Sequence, residues 1–135
     1  MNTLENILGS ARLIELVISL RNKKNPLKGE CYVASALLYD MHDGENMTLV
    51  KKLDCLGTYH WWVIYDDGKC HMDIDITQNQ YYEQNLPCPS HSPEDVLQAR
   101  KLGFASYKKR IKELEEEIWE YMTCIVETEC ELAGR

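Results

Sequence analysis

The sequence predicts an α+β protein, one domain over residues 1–135 with N-terminal helices, an antiparallel sheet and a long C-terminal helix over residues 106–132. Three observations predict it. Leu4, Ile7, Leu8, Ala11, Leu16 and Leu20 recur at near-helical spacing close to the N-terminus. Tyr59-His60-Trp61-Trp62-Val63-Ile64-Tyr65 and Cys70-His71-Met72-Asp73-Ile74-Asp75-Ile76 are strand-like runs separated by Asp66-Asp67-Gly68-Lys69, and Asp-Gly between such runs is a strong hairpin signal. Tyr107, Ile111, Leu114, Ile118, Tyr121, Ile125 and Leu132 keep a 3-4 heptad spacing, with Thr128 at the missed position.

Taken in order, Asn2 with Glu5 three residues on reads as a capping box, opening a first helix that runs to about Asn22. Asn25-Pro26 ends it, and Gly29-Glu30 leads into a second helix beginning at Cys31. That helix stops near Asp43-Gly44. Thr48, Val50 and Leu53 favour a strand over residues 47–56, and Gly57-Thr58 turns the chain into the hairpin. With Asp67-Gly68 as a two-residue loop, Asp66 pairs with Lys69, Ile64 with His71, Trp62 with Asp73 and His60 with Asp75. Residues 81–91, with Pro87 and Pro89, read as a loop. Ser92 then caps, and Pro93 opens, a short helix to about Lys101. The final helix spans roughly 38 Å if about 25 residues long. Its stripe packs along its own domain in one reading and forms a homodimer through residues 107–132 in the other.

The composition is that of an ordinary globular protein, with 44% apolar and 27% charged residues. No apolar run approaches the ~20 residues that span a membrane, so no membrane partner is expected. Glu5 and the lack of a basic leader argue against a signal peptide. A net charge of -7 argues against nucleic acid, and the basic stretch Arg21, Lys23, Lys24, Lys28 reads as a solvated loop. Six cysteines without a Cys-x-x-Cys pair read as reduced thiols, which predicts a cytoplasmic protein.

The chemistry lies in Cys31, His60 and Asp75. A thiol at a helix N-terminus is made more acidic by the helix dipole and serves as a nucleophile. The predicted cross-strand pair sets an imidazole roughly 5 Å at Cβ from a carboxylate, close enough to be oriented by it. Each residue alone has a plainer use: Cys31 as a small buried apolar group, His60 as a core histidine beside two tryptophans, Asp75 as turn chemistry. The combination is worth more than its parts, because a one-residue slip would put His60 and Asp75 on opposite faces. Asp73 shares that face and is the alternative carboxylate; His71 is the alternative base. The oxyanion donors would be the Cys31 backbone N–H and one side chain, with Asn25 or Asn22 as candidates, while Gln80 would steady the His-Asp pair or the substrate. Cys55, His60, Cys70, His71, Cys88 and His91 supply soft ligands for a zinc alternative, but their spacings match no standard knuckle, and no metal or cofactor is expected.

These residues also carry a resemblance. Gly29-Glu30-Cys31-Tyr32-Val33-Ala34-Ser35, His60-Trp61-Trp62 and Asp75-Ile76-Thr77-Gln78-Asn79-Gln80-Tyr81 resemble a family of small phage-encoded proteins. That family pairs a Gly-x-Cys-Tyr-Val-Ala-Ser segment with a His-Tyr-Trp strand and an Asp-Pro-Thr-x-x-Gln-Phe strand. Gly103-Phe104 and Ser106-Tyr107-Lys108-Lys109-Arg110 resemble its closing segment, so the likeness covers residues 29–110. Ile76 stands where the family commonly has proline. The resemblance implies a papain-like (transglutaminase-like) fold with nucleophile Cys31, base His60 and orienting carboxylate Asp75. It implies thiol-dependent amide or acyl chemistry, as in a cysteine peptidase, deamidase or amidase, on a host or phage protein or peptide in the host cytoplasm. Transglutaminase-type transfer uses the same thioester. A rival reading from another class is a non-catalytic interaction or inhibitor protein on the same fold.

Overall fold

The computed structural model describes residues 3–21, 30–92, 97–98 and 104–133, and the side chains of 4–20, 30–92 and 107–124. Asn22, Asn25, the Pro26 break and the Ser92-Pro93-Glu94 helix start lie wholly or partly outside these.

The first helix, α1 (Thr3–Arg21), buries Ile7, Ala11, Ile14, Val17 and Ile18, which share one face at helical spacing. The second, α2 (Glu30–Met41), is buried on almost every side, from Tyr32 through Leu38. A helix apolar all round belongs between layers, and α2 packs against α1, the long C-terminal helix and the sheet. The buried Ser35 hydroxyl donates to the Trp61 carbonyl at 3.2 Å and so ties the helix to the sheet. Gly44 closes α2 at φ +66°, its N–H donating to the Tyr39 carbonyl at 2.8 Å, and a Cβ there would collide with the Tyr39 ring.

Four strands form an antiparallel sheet of order β3-β2-β1-β4: β1 (Met47–Leu53), β2 (Tyr59–Asp66), β3 (His71–Ile74) and β4 (Leu97–Gln98). A short helix, α3 (Asn79–Glu83), follows β3, and α4 (Phe104–Ala133) closes the chain. On β2 and β3 the side chains alternate. Val63, Tyr65, Met72 and Ile74 face the helices, while His60, Trp62, Asp73 and Asp75 face the other way. The structure is therefore α+β, with a helical layer on one sheet face and a smaller cluster around Trp62, Tyr81 and His91 on the other.

Three expectations are corrected. The β2–β3 connection is the four residues 67–70, and the register pairs Asp66 with His71, Ile64 with Asp73 and Val63 with Ile74. A two-residue type I′ turn needs positive φ at both central residues, but of Asp67 and Gly68 only Gly68 (φ +86°) has it. The Asp67 carboxylate instead accepts the Lys69 and Cys70 N–H groups at 2.8 and 2.7 Å, which lengthens the loop. The pairing moves by two residues, so every side chain keeps its face. Second, residues 79–83 form α3 in the segment expected to be loop from residue 81. Third, Leu97–Gln98 is a strand paired with Lys51 and Val50, where a helix to Lys101 was expected; it covers the open edge of β1. Of the two readings of the heptad stripe, Ile111, Leu114 and Ile118 follow the first: they are buried in the protein's own core against α1 and α2. The side chains of Ile125, Thr128 and Leu132 lie outside those described.

Candidate active site

Cys31 is the second residue of α2, within the first turn, where backbone N–H groups have no partner inside the helix. Its partly exposed Sγ donates to the Tyr59 carbonyl at 3.8 Å, next to His60 at the start of β2. Glu30, the first residue of α2, is buried and held by Arg110 of α4 at 2.9 Å, which fixes this end of the helix.

His60 is 1% exposed. Its Nε2 lies 2.7 Å from Asp75 Oδ2, with the carboxylate just past the end of β3. Because of the shifted register Asp75 is diagonal to His60 rather than opposite it, and the side chains bridge the offset. Tyr81 of α3 sits edge-on to the imidazole at 4.9 Å, and the Trp62 ring stacks on it at 5.8 Å. Tyr81 is held in turn by the Asp54 carboxylate at 2.8 Å. The other Asp54 oxygen accepts the Leu56 and Thr58 N–H groups of the β1–β2 turn at 2.9 and 3.0 Å.

Burial alone would lower the His60 pKa. The hydrogen bond and charge of Asp75, with the neighbouring Cys31 thiol, outweigh it and push the imidazole up to about 9. For Asp75, burial raises the pKa, but hydrogen bonds to His60 and His91 prevail and hold it below the usual carboxylate value. His60 Nδ1 is buried and makes no hydrogen bond of ordinary geometry, nor does Asp75 Oδ1 or the Thr77 hydroxyl. Since Nε2 is committed to Asp75, Nδ1 is the nitrogen left for exchange with a thiol.

Cys31, His60, Thr77, Gln80 and Tyr81 line one cleft of about 290 Å³, with Tyr59, Trp61 and Tyr107 on its walls. Cys31, His60 and Gln80 thus share a cavity, and Asp75 reaches it through His60. The alternatives fall elsewhere. Asp73 accepts the Trp62 indole N–H at 3.0 Å and touches neither histidine. His71 shares the sheet face of Asp73 but lies exposed at the far end of β3, 3.4 Å from Asp66.

Sequence reasoning did not connect His91 to Asp75. Its Nε2 lies 2.8 Å from the same Oδ2 that His60 uses, and Trp62 packs against its ring at 4.7 Å. Lys52, opposite His60 on β1, fixes the loop by donating to the Ser90 carbonyl and hydroxyl at 3.3 and 2.9 Å. Cys88 enters the same cluster, its pKa pushed up to about 11 by burial and by the charge of Asp75, against an opposing hydrogen bond from Gln78. The Cys88-Pro89-Ser90-His91 run was the available signal, but nothing local tells which strand face the loop will cover. No family model, curated protein or solved structure matches the chain.

Proposed function

We propose that the protein carries out thiol-dependent acyl chemistry on an amide, with Cys31 as nucleophile, His60 as acid and base, and Asp75 as the group that orients the imidazole. One observation carries this reading: a thiol in the first turn of a buried helix and a carboxylate-held imidazole line the same cleft. The Cys31 sulfur, its proton already carried on Nδ1 of the charged His60, adds to the amide carbonyl carbon. The C–N bond then breaks, that proton leaves with the nitrogen, and a thioester to Cys31 remains. Water adds to the thioester, releases the carboxylate and restores the thiol. A glutamine side chain would lose ammonia by this route, a peptide or isopeptide would be cut, and an amine in place of water would give transglutamination. The Cys31 N–H and the buried Gln80 amide are the candidate donors to the oxyanion. A papain-like fold and a phage protein acting on a host or phage protein in the cytoplasm belong to the same reading, resting on the resemblance of residues 29–110. Among the described residues, no helix is long and apolar enough to cross a membrane.

The rival, a non-catalytic binding protein, is favoured by the Cys31 thiol donating to the Tyr59 carbonyl. Labelling by iodoacetamide, with chelator present, separates the two. In the enzyme, Cys31 alkylates at least tenfold faster than exposed Cys55 and Cys124, and His60→Ala abolishes the difference. Uniform slow labelling of the folded protein would establish the binder.

A further inference from the structure

His60, Asp75, Cys88 and His91 each bring one donor atom to a common point, and those atoms all lie within 4.8 Å of one another. The Nε2 atoms of His60 and His91 both aim at Asp75 Oδ2, at 2.7 and 2.8 Å. Two imidazoles, a thiol and a carboxylate are the donors that a tetrahedral zinc ion takes, at about 2.0–2.1 Å for nitrogen, 2.0–2.2 Å for oxygen and 2.3 Å for sulfur. In a tetrahedron of those bond lengths the ligands stand roughly 3.3–3.7 Å apart. The two Nε2–Oδ2 pairs therefore need to open by about 0.6 Å around the carboxylate oxygen, which now holds the two rings by hydrogen bonds, and the widest donor pair, within 4.8 Å, to close by about 1.5 Å or less. Trp62 backs both rings, and Lys52 anchors the loop that carries Cys88 and His91.

The geometry points to a Zn²⁺ site formed by His60, Asp75, Cys88 and His91, whose occupancy withdraws His60 from Cys31. The sequence spacings hid this site, because its ligands come from β2, the end of β3 and a loop, with no two closer than Cys88 and His91. A zinc ion on Nε2 of His60 leaves the neutral ring its single proton on Nδ1. That nitrogen then has no lone pair with which to accept the Cys31 proton, and Asp75 is taken up by the metal as well. The inhibitory consequence rests on the proposed thiol chemistry; the binding of metal does not.

Cobalt(II) reports the site without reference to activity. Titration of the reduced full chain should give one equivalent of bound Co²⁺ with a thiolate-to-cobalt charge-transfer band and tetrahedral visible bands, displaced by Zn²⁺. Cys31→Ser should keep these bands. Cys88→Ser should lose the charge-transfer band, and His91→Asn should bind Co²⁺ at least tenfold more weakly while retaining the wild-type circular dichroism. Absence of the bands, their survival in Cys88→Ser, or their loss in Cys31→Ser would overturn the site. The switch is read separately: zinc should slow Cys31 alkylation at least tenfold in the wild type and not in His91→Asn. Cobalt bands without that protection would remove the switch. Fast alkylation of Cys31 in chelator without cobalt bands would reject the metal site and leave the thiol chemistry intact.

Discussion

At the scale of single residues, Asp75 decides the state of His60. A buried imidazole by itself would be less basic than in water, and only the carboxylate at 2.7 Å, with Cys31, reverses this. In chelator, NMR titration of the imidazole should find His60 near pH 9 in the wild type and well below that in Asp75→Asn. The stability effect has a definite sign. A folded pKa above the unfolded value of ~6.5 contributes stability that is complete below pH ~6.5 and lost as pH rises through about 9. The lowered Asp75 pKa contributes stability that is present above the ordinary carboxylate range and lost as pH falls through its folded value. Asp75→Asn should therefore cost roughly 3 kcal/mol near pH 6, since it strands one partner of a buried pair, and less at either extreme. Urea denaturation across pH checks this; a constant difference from pH 6 to 10 would show that Asp75 does not hold His60 in its charged form.

At the scale of elements, the turns fix where the site residues arrive. Gly44 ends α2 in a left-handed conformation against the Tyr39 ring, so Gly44→Ala meets both backbone strain and a clash. A loss of roughly 2 kcal/mol or more is expected in chemical denaturation, with Cys31, at the far end of α2, keeping its reactivity. The β2–β3 loop shows the limit of local reasoning. Asp-Gly correctly marks a hairpin, yet the Asp67 carboxylate gathers the following N–H groups and makes the loop two residues longer. Parity survived because the shift was even, and with it the shared face of His60 and Asp75. The segment after His91 failed more completely. Capping signals for a helix near Ser92 gave way at Leu97–Gln98 to pairing with the open edge of β1.

At the scale of the whole molecule, α4 is part of the core. Leu114 is fully buried and Ile118 is 3% exposed. Ile118→Glu should place an unpaired charge among α1, α2 and α4 and unfold the protein or its helical layer. Leu114→Ala should cost roughly 2–5 kcal/mol by leaving a cavity. A folded Ile118→Glu protein whose only change is a smaller mass by light scattering would instead establish a dimer seam on this helix.

Some of this was settled by sequence alone. Helical spacing set the N-terminal and C-terminal helices, and a period of two set the faces of β2 and β3. The helix start expected at Cys31 agrees within one residue with α2, which begins at Glu30. These are properties of chain segments, governed by local geometry and by which side chains must leave water. The tertiary structure decided the rest. It made α2 the helix between the layers, put Ile111, Leu114 and Ile118 of α4 into the core, set the four-residue loop and added a fourth strand to the sheet beside β1. It also brought Cys88 and His91 onto the face of His60 and Asp75. Such meetings depend on which surfaces are left uncovered once the other elements have packed. Donors distant in sequence, such as His60 and His91, converge only through that packing, so no spacing along the chain encodes them.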